Sequence, residues 1–75
     1  MSVDVREAVL TVLREPGEPL HWTVVQDRAL RAGLIDPFEV HDVRREVQRA
    51  LAELGREGVA VRVATGTWAL RGPGT

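Results

Sequence analysis

Three segments with apolar residues at helical spacing, followed by a closing segment whose apolar residues alternate, predict a small α+β domain. A short extended piece, "LHW", between the first two helical segments offers a third strand beside the closing hairpin. The chain has 75 residues. That length suits one domain, of a size that buries only about 60% of the surface its unfolded chain exposes. The expected organisation is a single domain over 1–75, ordered over about 3–71, with the "GPGT" end at 72–75 frayed.

Each element has its own signal. From Asp4 to Glu15, Val5, Ala8, Val9, Val12 and Leu13 recur on one helical face, with Asp4 as N-cap and Glu7 as its reciprocal partner. The turn "EPGEP" ends that helix, because its two prolines remove backbone donors and its glycine permits the bend. Thr23, with Gln26 three residues on, marks the start of a second helix over about 23–32, with Val25, Ala29 and Ala32 on one side. Gly33 closes it. Asp36, Pro37 and Glu39 form the strongest start signal, an N-cap, a first-turn proline and a capping-box acid. A third helix is therefore expected from there to about Glu57, with Gly58 beyond it.

The tail "VAVRVATGTWALR" changes to a period of two around Thr65-Gly66 and reads as a hairpin. A two-residue loop pairs Val63 with Trp68 and Val61 with Leu70 on one face, leaving Ala60, Arg62 and Arg71 on the other. Threonine is a poor residue for positive φ, so the turn type stays open. Three helices and then a hairpin is the order of a winged helix-turn-helix, in which the hairpin is the wing.

Composition narrows the function classes. There is no cysteine, so neither disulfides nor thiolate metal sites hold the fold. "MSVDVREAVL" lacks a basic region followed by an apolar one, and no apolar run approaches bilayer length, so a soluble cytoplasmic protein with no membrane partner is expected. All ten basic residues are arginine, which points to GC-rich coding, as in a GC-rich bacterium. The net charge of -1 argues against an indiscriminate nucleic-acid coat. Any nucleic-acid surface must come from segregated charge.

The segments "AVLTVLREPGEPLHWTVVQDRALRAGLI" and "VRVATGTWAL" resemble the HARE-HTH winged helix, above all in "PLHW", the "GL" after helix two and the "GTWAL" last strand. The resemblance covers about Val5 to Arg71. Similar domains occur in restriction endonucleases, in chromatin-associated proteins and in the delta subunit of bacterial RNA polymerase. The resemblance thus implies DNA-linked work, through duplex contact or through association with polymerase or another DNA-processing protein. Where the family carries threonine-proline ahead of helix three, this chain has Asp36-Pro37, with a longer spacing to Val43-Arg44.

On helix three, Val40, Val43, Val47, Ala50, Leu51 and Leu54 fall in one sector of roughly 100° and form the core stripe. The rest divides into a basic and an acidic side. Ion pairs at three- and four-residue spacing, Asp42–Arg45, Glu46–Arg49, Arg49–Glu53 and Glu53–Arg56, account for most of these charges as a solvated face. Arg44 has no acid among its neighbours at that spacing. With His41, Arg45 and Gln48 it forms a patch in the N-terminal half, where a recognition helix meets base edges and phosphates. Arginine matches guanine O6 and N7, and glutamine matches adenine N6 and N7. The DNA-contacting candidates are His41, Arg44, Arg45, Gln48 and Arg49 on this segment, with Arg62 and Thr65 on the wing.

His21 and His41 lack companion ligands at metal spacing, so no metal or other cofactor is expected. No nucleophile stands with a base and orienter, and no glycine-rich phosphate loop occurs, so an enzyme is not expected. Trp22, Phe38 and Trp68 read as core and staple residues rather than stacking partners for bases, with Phe38, at the second position of helix three, the one among them open to exposure. Two functional readings follow. One is a DNA-binding protein linked to transcription regulation or DNA processing, acting on double-stranded DNA, with a homodimer as the route to useful specificity. The other is a protein-interaction module of the same machinery with no duplex contact, its acidic side facing a basic partner.

Overall fold

The computed structural model describes residues 4–15 and 17–71. The expected ends of the ordered core at residue 3 and of the tail at 72–75 lie outside them. Three helices, α1 (Val5–Arg14), α2 (Trp22–Arg31) and α3 (Val43–Arg56), pack with β1 (Leu20–His21), β2 (Ala60–Ala64) and β3 (Thr67–Leu70). The sheet is antiparallel with order β1-β3-β2, so the short piece after α1 is a genuine third strand beside the hairpin. This is the α+β winged-helix arrangement that the order of elements predicts.

The core is one cluster. Val9 and Leu13 of α1, Val25 and Ala29 of α2, and Val47, Leu51 and Leu54 of α3 are all 1% exposed or less. Ile35, in the link after α2, and Leu20 and Ala60 of the sheet close the same cluster. No polar side chain is buried with them among the described residues. α3 packs on α1, α2 and β2, which makes it the central element.

Local capping explains the element boundaries. Asp4 caps α1 by accepting from the Arg6 amide at 3.0 Å. α2 begins one residue earlier than Thr23 predicts, because His21 takes the cap: its Nδ1 accepts from the Thr23 amide at 3.3 Å and lies 2.8 Å from the Thr23 hydroxyl. The Trp22 amide, left without an intrahelical partner, donates to the Gly66 carbonyl at 2.9 Å. At the other end, Leu34 donates to Ala29 and Gly33 to Leu30, the paired bonds that end a helix at Gly33 as predicted. Ala32 is exposed there rather than part of the buried side.

Two expectations are corrected. Asp36, Pro37 and Glu39 do not begin α3. Asp36 caps a single turn, accepting from Phe38 through its carboxylate and from Glu39 and Val40 through its carbonyl. That turn does not propagate because it has little to bury: Phe38 is 96% exposed, and Val40 packs only half-buried against the core. Asp42 then caps α3 by accepting from the Arg45 amide at 3.1 Å, and the helix begun there buries Val47, Ala50, Leu51 and Leu54. The longer spacing between Asp36-Pro37 and Val43-Arg44 is thus taken up by a turn, and Val40 and His41 lie ahead of α3.

The hairpin register is the second correction. Ala64 pairs with Thr67 across the Thr65-Gly66 turn, as predicted, but the register then shifts. Arg62 pairs with Trp68, Val61 with Ala69 and Ala60 with Leu70. One extra residue in β2 forms a bulge and exchanges the two faces of the strand. Ala60 is buried, whereas Val61 and Val63 are 41% and 53% exposed. The larger side chains decide the outcome, since Trp68 and Leu70 pack against the core cluster and two valines go to solvent.

Gly66 at the wing tip has φ 73°, and a Cβ there would lie 2.7 Å from His21 Nε2 and 3.2 Å from Trp22 Cδ1. Gly66→Ala therefore adds left-handed strain of about 1–2 kcal/mol to a steric clash. The expected result is a melting temperature lower by about 5–15 °C in circular dichroism. An unchanged melt would mean that the tip is not seated on α2.

Candidate nucleic-acid interface

α3 distributes its charges between two sides that the fold treats differently. On the side toward α1, Glu57 accepts from both terminal nitrogens of Arg6, at 2.5 and 2.6 Å. This cross-element pair carries no local sequence signal, since 51 positions separate the partners. The bond to Arg6 holds the Glu57 carboxyl below its ordinary value, and Glu57 in turn holds the Arg6 guanidinium above its own. Of the four intrahelical pairs expected, Arg49–Glu53 is present at 3.3 Å. Asp42 is occupied as the helix cap instead.

The sign of the pH effect follows from the lowered carboxyl. Its contribution to stability is present above the ordinary carboxylate value of 4.5 and is lost as pH falls through the folded value. In Glu57→Gln, the loss of stability below about pH 4.5 is expected to be shallower than in the wild type, as read by urea titration at stepped pH. Superimposable acid limbs would show that the pair contributes nothing measurable.

The candidate residues divide between two hollows. Gln48, Arg62 and Thr65 come together around one lined also by Trp22, Gly66 and Trp68, between α3 and the wing. No carboxylate of the described residues lines it. Arg44, one turn before Gln48, extends this side, with its guanidinium 5.4 Å from the centre of the Trp22 ring. That stacking is worth about 0.5–1 kcal/mol at an exposed site and holds the planar group over α2 instead of leaving it free. His41, Arg45 and Arg49 line a second hollow against Val5, in the company of Asp42 and Glu46. The structure therefore brings Gln48, Arg62 and Thr65 to one hollow, sets Arg44 beside it over the Trp22 ring, and places His41, Arg45 and Arg49 apart in a mixed-charge one.

The groove owes its shape to two close approaches. The Trp22 amide bond to Gly66 pins the wing tip to the start of α2. Gly55 lets the Trp68 ring lie against α3, since a Cβ there would stand 2.8 Å from the ring. Sequence reasoning placed Trp22 and Trp68 in the core; both are half-buried and line the groove. Their neighbourhood to Arg44 and Arg62 depends on the bulge and on the His21 cap, neither of which leaves a local pattern.

Among the described residues no helix is long and apolar enough to cross a membrane, and no group of three or more histidine, aspartate or glutamate side chains is placed to hold a metal ion. Comparison of the chain with protein families, with curated proteins and with solved structures finds no match.

Proposed function

We propose that this chain is a winged-helix DNA-binding protein of the HARE-HTH type, bacterial and cytoplasmic, working at the nucleoid in transcription regulation or DNA processing. One observation carries the reading: Gln48, Arg62 and Thr65 line a hollow between α3 and the wing that no carboxylate of the described residues lines, and Arg44 stands beside it over the Trp22 ring. α3 enters the major groove with Arg44 and Gln48 toward base edges, and the wing lies beside the backbone. Arg45 and Arg49, at the flank of α3, serve phosphates. A net charge of -1 is compatible with this grip because the acids of α3 face α1, where Arg6 and Arg49 engage Glu57 and Glu53. Specific affinity is expected from a homodimer on paired half-sites.

Fluorescence anisotropy of a labelled mixed-sequence duplex, titrated at stepped salt, tests the proposal. Neutralisation of three to five phosphates predicts a slope of log affinity against log salt of about -3 to -4.5. Absence of binding at low salt would overturn it.

A second reading, a protein-interaction module of the transcription or DNA-processing machinery, draws on Phe38, whose 96% exposure puts an aromatic side chain on the surface just ahead of α3. The double variant Arg44→Ala/Arg45→Ala separates the two. It removes duplex binding under the first reading and changes nothing measured on DNA under the second.

A further inference from the structure

A third hollow, of about 510 Å³, lies between the C-terminal half of α3 and β2. Arg56 from the last turn of α3, Arg62 from the middle of β2 and Arg71 just after β3 all line it, and no carboxylate does among the described residues. None of the three is ion-paired among the described residues, whereas Arg6, Arg31 and Arg49 each are. The nearest acid in sequence, Glu57, adjoins Arg56, but its carboxylate is taken by both terminal nitrogens of Arg6. Three arginines from separate parts of the chain thus line one concavity, and the acid whose charge reaches one of them, Glu57 beside Arg56, is already bonded to Arg6. Like charges so gathered repel, and an anion in their midst relieves that repulsion.

The backbone around the hollow is fixed. The Arg71 amide donates to the Val59 carbonyl at 2.9 Å, which anchors the root of that side chain at the base of the hairpin. Val59 and Gly58 donate to the Leu54 and Gly55 carbonyls, so these two carbonyls near the end of α3 are engaged. Gly55 and the Trp68 ring supply a flat apolar floor.

We propose that this hollow is a phosphate-binding subsite. Planar guanidinium forks match phosphate oxygens in pairs, and three of them suit a group with several charged oxygens better than a single carboxylate. The phosphate has two possible sources, a polynucleotide backbone or a free phosphate ester. Arg62 and Trp68 line both this hollow and the groove beside Gln48, which sets the two side by side and favours the backbone. The subsite itself does not depend on the duplex reading; only the backbone source does.

The test compares the full chain with Arg56→Gln/Arg71→Gln, two exposed positions outside the groove of Arg44, after the amide spectrum has shown the fold intact. In one arm inorganic pyrophosphate is titrated while the Trp68 indole and the Gly55 and Gly58 amides are followed by NMR. In the other, anisotropy of a 20-base-pair duplex is followed at stepped salt. The expected result is saturable shifts that vanish in the variant, with duplex affinity about tenfold or more weaker and the salt slope about 1.8 smaller, from two lost contacts at about 0.9 each. A duplex effect without a pyrophosphate shift also supports a backbone phosphate. Variant-sensitive shifts with unchanged duplex binding assign a free phosphate ester. If the wild type binds no duplex, the DNA reading fails and the pyrophosphate arm alone decides the subsite. Shifts absent, or persisting in the variant, together with no variant effect on duplex binding, overturn it.

Discussion

Arg44→Ala is expected to weaken binding to a preferred duplex by about 5- to 150-fold, the 1–3 kcal/mol of one bidentate base contact. The expectation rests on position. Arg44 is exposed, has no acid partner among the described residues, and is held 5.4 Å from the centre of the Trp22 ring, so its fork is oriented before DNA arrives. Less side-chain freedom is lost on binding than for an arginine moving in water. Arg49→Ala provides the contrast, because Arg49 is tied to Glu53 at 3.3 Å and should give up only one phosphate contact. Its loss should change the salt slope by about 0.9 and leave base preference intact. Arg44→Lys keeps the charge without the planar fork, so it should retain most of the slope and lose discrimination at one base pair. Competition anisotropy with single-base-pair substitutions reads all three. Equal affinities for wild type and Arg44→Ala on every duplex would remove Arg44 from the interface.

The charge distribution resolves what composition leaves ambiguous. A chain at -1 has no field to attract DNA as a whole. Yet the acids of α3 do not cancel its arginines evenly. Glu46 and Glu53 line the hollow toward α1 together with Asp4 and Arg6, while Gln48, Arg62, Arg56 and Arg71 lie around two hollows free of carboxylates. A neutral protein can in this way carry a basic strip along one side. The same partition weakens the idea of an acidic side waiting for a basic partner, since Glu57 already has one within the fold.

The parts of the fold legible in the sequence are those set by neighbours three, four or two residues away. The apolar spacing of α1 and α3, the cap at Asp4, the stop at Gly33 and the hairpin turn all belong to this class. The parts that escaped depend on contacts distant in sequence. Two capping signals, at Asp36 and Asp42, compete, and the winner is set by which helix buries its stripe against α1 and α2. His21 becomes a cap because the next amide, Trp22, is taken by Gly66 of the wing. Val63 is squeezed into a bulge because Trp68 and Leu70 pack inward together. Of the candidate site, the unpartnered arginine and Gln48 one turn on were legible as a pattern. Separation of His41, Arg45 and Arg49 from that pair was not, because it required knowing where α3 starts and which side faces α1.

Leu51→Ala is expected to cost about 2–5 kcal/mol, the largest stability effect of any single substitution considered for this chain. Leu51 is fully buried at the centre of α3, which packs on α1, α2 and β2, so the cavity left behind is walled by several elements that cannot all close on it. A domain of this size has about 4–11 kcal/mol in total, at 0.05–0.15 kcal/mol per residue. The substitution should therefore lower the melting temperature by at least about 8 °C and leave a weakly stable protein. Val61→Ala, at a position 41% exposed, should stay within about 0.5 kcal/mol of wild type. The weakened variant also makes a sensitive reporter of function. A ligand that binds only the folded chain adds about 2.7 kcal/mol when present at a hundred times its dissociation constant. Melting Leu51→Ala with and without excess duplex at low salt should thus recover much of the lost temperature if α3 and the wing grip DNA. Recovery should shrink from about 2.7 to about 0.3–1.8 kcal/mol when Arg44→Ala is added, because that change weakens the grip about 5- to 150-fold and leaves the core untouched. A melt indifferent to duplex in the Leu51→Ala background would count against DNA as the ligand of the groove.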